Sequence, residues 1–213
     1  MKVVVVDYGS GNLTSAAKAV ERAASERGVA AEVIVSGDAK IVASADRLIV
    51  PGQGAFADCR AGLLAVPGLF EAVQDVVITK ARPFFGICVG MQLMCEAGLE
   101  FGTHPGFGWI NGKCEKFDLP TEFKIPHMGW NELTVTQGAH PVLKDVASGE
   151  HVYFVHSYHL TDVPAAQVLA TSDYGGPVVA IVGRDNLVGT QFHVEKSQAT
   201  GLKLLGNFLE WTP

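Results

Sequence analysis

The sequence predicts an α/β chain: a mostly parallel sheet flanked by helices, with an antiparallel part added to it. Three observations carry that expectation. In the first half, short uninterrupted apolar runs alternate with helix-length amphipathic segments, which is how strands covered on both faces by crossover helices read. From Phe107 to Asp162 the pattern changes to short strands and many turns. One amphipathic segment, Ser197 to Trp211, then closes the chain.

Each element has its own signal. Lys2 to Asp7 is an apolar strand that ends on a carboxylate. Asn12 to Arg27 sets Leu13, Ala16, Ala17 and Val20 on one helical face, and Gly28 stops it. Glu32 to Val35 and Arg47 to Val50 are the second and third strands, the latter closed by Pro51-Gly52. Leu69 to Lys80 has helix length and spacing. Phe84 to Ile87 is a fourth strand, and Val89 to Ala97 starts the next helix, with Cys95 inside its apolar pattern. Later strands are expected at Val152 to Tyr158, Val178 to Ile181 and Leu187 to Phe192. The closing helix has Leu202, Leu205, Phe208 and Leu209 as its apolar face. No repeat or linker interrupts the 213 residues, so 1–213 is expected to be one domain, long enough to bury a sizeable core.

Composition narrows the function classes. Hydrophobic residues at 48% and charged ones at 18% fit a soluble globular chain. A formal net charge of -6 leaves no basic footprint for nucleic acid or an anionic membrane. The amino-terminal apolar run is too short, and too soon polar, for a signal peptide or a spanning helix. The four cysteines, Cys59, Cys88, Cys95 and Cys114, show no CxxC spacing. The expectation is a cytoplasmic chain with reduced thiols, no metal and no cofactor.

The stretch FFGICVGMQLM carries the first chemical signal. Cys88 lies between Gly86 and Gly90, where a strand gives way to a helix. A nucleophile there needs a sharp turn that exposes its side chain, as in the G-x-S-x-G elbow of the α/β-hydrolases. A helix amino terminus favours a thiolate, and the Val89 N–H can serve an oxyanion. The competing reading is a small buried hydrophobe, which Cys59, Cys95 and Cys114 fit better than Cys88.

A thiolate needs a base and a group to orient that base. QFHVE, at the end of a predicted strand, offers His193 and Glu195 two positions apart. In extended backbone such residues point the same way. PGQGAF supplies a glycine-rich loop at the end of another strand. Ligands of parallel sheets bind at the carboxyl ends of the strands, and Cys88, Gly52 and His193 all fall at such ends.

PGQGAF, GICVGMQ and FHVEKS, in that order on an α/β chain, resemble the class I (triad) glutamine amidotransferases. DYGSGNL near the start, PHMGWN at Pro126 to Asn131 and FVHSYH at Phe154 to His159 narrow the resemblance to the branch whose ammonia goes to a cyclase of histidine biosynthesis. The resemblance runs from Asp7 to the closing helix. It implies a flavodoxin-like amidotransferase fold and a Cys88–His193–Glu195 triad that takes glutamine through a thioester. Gly52, Gln53, Gly54 and Val89 match its oxyanion positions. Gln92, His156, Ser157 and Tyr158 match its glutamine-holding positions. The implied partner is a (β/α)8-barrel cyclase subunit in a heterodimer, faced by Asn12, Trp130 and Asn131. Two departures stand out: Gln53 replaces the valine of a PGVG loop, and Val194 replaces the proline of HPEKS. Proline fixes φ, whereas valine only favours extended backbone.

Alternatives remain at this point: another class I subunit, a stand-alone cysteine amidase or γ-glutamyl peptidase, or a non-catalytic module on the same scaffold. The last predicts loss of a triad member, and all three are present. Among the other histidines, His156 and His159 are expected on opposite faces of one strand, against a metal site with His151. His104, His127 and His140 read as loop residues without a role, and Lys196 as either a solvated charge or a partner contact.

Overall fold

A computed structural model describes residues 1–213. The chain order is β1 (Lys2–Val6), α1 (Leu13–Arg27), β2 (Glu32–Ser36), α2 (Ala39–Ala43), β3 (Arg47–Gly52), α3 (Phe56–Ala65), α4 (Leu69–Gln74), β4 (Phe84–Cys88) and α5 (Val89–Gln92). There follow β5 (Ala97–Gly98), β6 (His104–Pro105), β7 (Lys113–Lys116), β8 (His127–Glu132), β9 (Thr134–Val135), β10 (His151–His156) and β11 (Tyr158–Thr161). The chain closes with β12 (Val168–Asp173), β13 (Pro177–Arg184), β14 (Leu187–Thr190) and α6 (Gln198–Glu210).

An eight-stranded sheet runs β2-β1-β3-β4-β14-β13-β12-β9. The strands from β2 to β14 in that order pair in parallel, and β13, β12 and β9 continue it antiparallel. This is the mostly parallel sheet with an antiparallel extension that the sequence predicts. Two smaller sheets, β10-β8 and β11-β7-β5-β6, form the added part.

Both faces of the main sheet are covered, and β4 shows how. Its neighbours Phe84 and Phe85 point to opposite faces. Phe85 meets Phe208 of α6 edge-on at 5.2 Å, and Phe84 meets Trp109 at 5.1 Å. Both phenylalanines belong to a contiguous core of 56 buried residues. Helix α1 starts where the Asn12 side chain accepts from the Ser15 N–H at 3.2 Å and ends where Gly28 turns left-handed, with φ 64°. It lies beside α6, with Arg27 donating to Asn207 Oδ1 at 2.8 Å. No single helix is long and apolar enough to cross a membrane.

Several elements differ from expectation. The helix expected from Val89 to Ala97 is a single turn, α5. The carbonyls of Leu93, Met94 and Cys95 accept from the N–H groups of Phe107, Trp109 and Gly108 instead of continuing a helix. Cys95 therefore sits in a turn. The segment expected as one helix from Leu69 to Lys80 passes from α4 into a π-helical turn at Asp75–Thr79. The strand expected from Val152 to Tyr158 breaks at Ser157, because β10 pairs with β8 and β11 with β7. His156 and His159 thus lie in different sheets. His127 lies in β8, 3% exposed, rather than in a loop. Helices α2 and α3 carried no clear period in the sequence.

Candidate active site

The turn at Cys88 is built by glycine and by strain. Cys88 has φ 54° and ψ −110°, a conformation rare for a residue with a side chain. It persists because its neighbours leave no other path. A Cβ on Gly90 would lie 1.8 Å from the Val50 carbonyl oxygen, and one on Gly86 would lie 2.6 Å from that of Gly90. The glycines therefore let β4, β3 and α5 approach closely around the cysteine. Because α5 is only four residues long, its dipole contributes less to a thiolate than the longer expected helix.

The other cysteines are packing residues. All are buried and unpaired. Burial pushes the Cys95 thiol up to about 12 and raises those of Cys59 and Cys114, so they stay protonated and unreactive.

His193 and Glu195 meet as the sequence implies, by a different backbone. Glu195 Oε1 accepts from His193 Nδ1 at 2.8 Å, with their side chains 7% and 3% exposed. His193 is extended, but Val194–Lys196 is a 3-10 turn rather than a strand. The turn is pinned by the Ser197 hydroxyl, which donates to the His193 carbonyl at 2.7 Å. Burial lowers the His193 pKa, but bonding to Cys88 and to Glu195 outweighs it and brings the value up to about 9. The imidazole is therefore charged at neutral pH, with Nδ1 on Glu195 and Nε2 left for the sulfur.

A cavity of about 330 Å³ opens onto both Cys88 and His193. Cys88, Val89 and His193 line it with Gln53 and Gly54 and with Gln92, His156, Ser157 and Tyr158. Thus every expected glutamine-holding residue reaches the cavity. Glu100, Pro126, Val155 and Lys196 line it too. Glu100 had no sequence signal, because a lone acid in a turn looks like any solvated charge. Lys196, left open by the sequence, sits at the cavity edge, 6.0 Å over the Tyr153 ring.

Strand β3 runs on through Pro51 and Gly52, with Gly52 paired to Cys88 in the β3–β4 register, and the Gln53–Gly54 loop follows it. Two of the expected oxyanion groups are placed otherwise. Gly52 does not line the cavity; a Cβ there would lie 2.7 Å from the Gly90 nitrogen, so its glycine serves close packing. The Gln53 N–H donates to Ser10 Oγ at 3.1 Å, and the same hydroxyl donates to the Gln53 carbonyl at 2.6 Å. Ser10 thus ties both peptide groups that flank the Gln53 Cα and occupies the N–H expected to serve an oxyanion. Gly54, at φ 99°, supplies the left-handed turn that follows.

The residues expected to face a partner are spread along the surface. Asn12 caps α1 and is exposed. Trp130 is 47% exposed, beside Met128 at 65%. The polar atoms of Asn131 are all used within the chain: Nδ2 donates to His127 Nε2 and to the Asp173 carbonyl, and Oδ1 accepts from the Glu132 N–H.

The family described as glutamine amidotransferase class-I matches residues 4–211. Over 214 residues and the whole of both chains, the sequence is 55% identical to a Rhodospirillum rubrum protein named imidazole glycerol phosphate synthase subunit HisH. It is 56% identical over 218 residues to a protein of the same name from Brucella suis, again over 100% of each. Among solved structures it resembles a glutamine amidotransferase with TM-score 0.71 at 19% identity, covering 97% of each chain. A second, from Thermotoga maritima, gives 0.58 at 14% identity, covering 92% of this chain and 76% of the other. At such identities the structural likeness speaks for the fold alone.

Proposed function

The chain belongs to the class I glutamine amidotransferases, and from that premise we propose how its residues act. It is the glutaminase subunit of an imidazole glycerol phosphate synthase, in histidine biosynthesis. Residues 1–213 act as one glutaminase domain, in the cytoplasm, with the thiols reduced. The observation that carries the reading is the strained Cys88 turn sharing a cavity with His193, whose Nδ1 lies 2.8 Å from Glu195 Oε1 behind it.

The Cys88 thiolate attacks the side-chain amide carbon of glutamine. Charge passes to the amide oxygen, which the Val89 N–H stabilises. His193 gives its Nε2 proton to the amide nitrogen, the C–N bond breaks and ammonia leaves. A thioester remains. Neutral His193 then takes a proton from water, and the resulting hydroxide displaces the thiolate as glutamate forms. Glu195 holds the imidazole by Nδ1 throughout. Gln92, His156, Ser157 and Tyr158 hold the substrate, and the Glu100 carboxylate suits its ammonium group.

A second N–H for the oxyanion comes from Gln53 once its peptide turns away from Ser10. Docking and filling of a (β/α)8-barrel cyclase subunit drive that turn, so glutamine is spent only when the ammonia has an acceptor. Asn12 and the exposed Trp130 face that barrel, and Asn131 supports the strand beneath.

Cys88→Ala tests the assignment. It should abolish glutamate release while the partner still turns over with added ammonium salt. Loss of both activities would make Cys88 a structural residue.

A further inference from the structure

His127 and Gln191 are two of the buried polar residues outside the proposed triad. Gln191 follows β14 directly and is fully buried. The β14 register sets Thr190 beside Ile87, which brings Gln191 next to Cys88. Its Nε2 donates to Cys88 Sγ at 3.8 Å, and its Oε1 accepts from Gln92 Nε2 at 3.1 Å. Gln92 Nε2 spends its other proton on the Tyr158 carbonyl at 3.0 Å. That carbonyl also meets His156 Nδ1 at 2.9 Å. His156 Nε2 lies 3.1 Å from His127 Nδ1, and His127 Nε2 lies 3.3 Å from Asn131 Nδ2.

The protons along this chain have one consistent order. A carbonyl only accepts, so His156 carries its proton on Nδ1 and accepts on Nε2. His127 must then carry its proton on Nδ1 and accept on Nε2. The donor there is Asn131, whose orientation is fixed by its bonds to the Asp173 carbonyl and the Glu132 N–H. His127 is clamped between Phe154 at 4.5 Å and Tyr174 at 3.9 Å, ring on ring.

We propose that His127 and Gln191 are positioning residues, members of one ordered hydrogen-bond chain that runs from Asn131, next to exposed Trp130, to the Cys88 sulfur. Gln191 gives the thiolate a donor besides His193 and fixes its direction. His127 fixes His156, and through it the Tyr158 peptide that walls the substrate cavity. Both imidazoles are neutral at working pH, because burial lowers His127 to about 4 and His156 to about 3. A half-satisfied buried network is costly, so a change at one member is felt along the chain.

This inference rests on Cys88 being the nucleophile, and the test separates the two. The probe is a glutamine analogue carrying a chloromethyl ketone in place of the amide. The Cys88 thiolate forms an S–C bond to its methylene carbon and chloride leaves. The rate constant of labelling at saturation reports the sulfur, and the half-saturating concentration reports the cavity. Both are read on the full chain by mass spectrometry of the Cys88 peptide.

Gln191→Met and Gln191→Leu remove the donor without adding a charge. Each should lower the saturated labelling rate about tenfold, the cost of one hydrogen bond to a charged group, with half-saturation within about twofold. His127→Phe keeps the ring stack and removes the donor, and should raise half-saturation about fivefold. His127→Asn keeps an N–H near the Nδ1 position and should recover most of that loss. Wild-type labelling rates in both Gln191 variants overturn the proposal, as do equal half-saturations in the two His127 variants. No labelling of wild-type Cys88 overturns the nucleophile itself, and the chain with it.

Discussion

Two glycine-flanked strand ends lie side by side in this molecule, and they are set differently. At the end of β4, Gly86 and Gly90 hold Cys88 in a strained turn that faces the cavity. At the end of β3, paired with it residue for residue, Gly52 and Gly54 flank Gln53, whose N–H and carbonyl are both tied by Ser10. Cys88 is fixed in its turn, while the loop proposed for the oxyanion is tied to Ser10. The difference teaches that glycines mark where backbone must pass closely, but not which way a peptide in that backbone faces. A hydroxyl far away in sequence decides the second question.

The largest break in this comparison comes from the fixed side. In Gly90→Ala the new methyl meets the Val50 carbonyl at 1.8 Å. The backbone has to move, with a loss of about 3 kcal/mol of stability and of glutamine hydrolysis with it. Denaturant midpoints and glutamate release check both. A midpoint equal to wild type would mean that the turn is loose.

Glu195→Gln acts next. The raised pKa of His193, about 9, favours its charged form in the folded chain. The resulting stabilisation is complete below the ordinary histidine value of about 6.5 and is lost as pH rises through about 9. Hydrolysis should hold through neutral pH and fall above about 9, where the leaving ammonia loses its proton donor. Without the carboxylate, the alkaline fall should move to lower pH by about one unit. An unmoved limb in the pH profile of kcat would take Glu195 out of the account.

Ser10→Ala sharpens the latched side and should have the smallest effect. It removes two hydrogen bonds that hold the Gln53 peptide. Partner-free glutamate release should rise about fivefold, as expected when modest bonds favouring one state are lost. A rate at or below wild type would show that the loop is held by something else.

Much of this was legible in the sequence, for identifiable reasons. The parallel strands read correctly because burial on both faces makes them continuous apolar runs, as in VVVV of β1. GICVGMQ and FHVEKS point to Cys88, His193 and Glu195, and His193 and Glu195 do meet, although the backbone that joins them is a 3-10 turn rather than a strand. Pairing depends on what the turn is tied to, here Ser197 and the Tyr153 carbonyl, which no local pattern records. Helix α5 is shorter than the sequence predicts because the carbonyls of Leu93, Met94 and Cys95, just past it, take their partners from residues 107–110. His127 reads as a loop residue in the sequence because its contacts, with β10 and Tyr174, are distant along the chain. Gln53 was identified as a departure, but the Ser10 hydroxyl that answers it is legible only in three dimensions.

The central claim is that a preset nucleophile waits on a latched loop. Its most direct test is glutamate release from glutamine by this chain alone, and then with a cyclase barrel and its nucleotide ligand. The account predicts slow release alone, a large rise in the mixture, and silence from Cys88→Ala in both. Equal, fast release with and without the barrel would contradict it and leave a free-standing amidase.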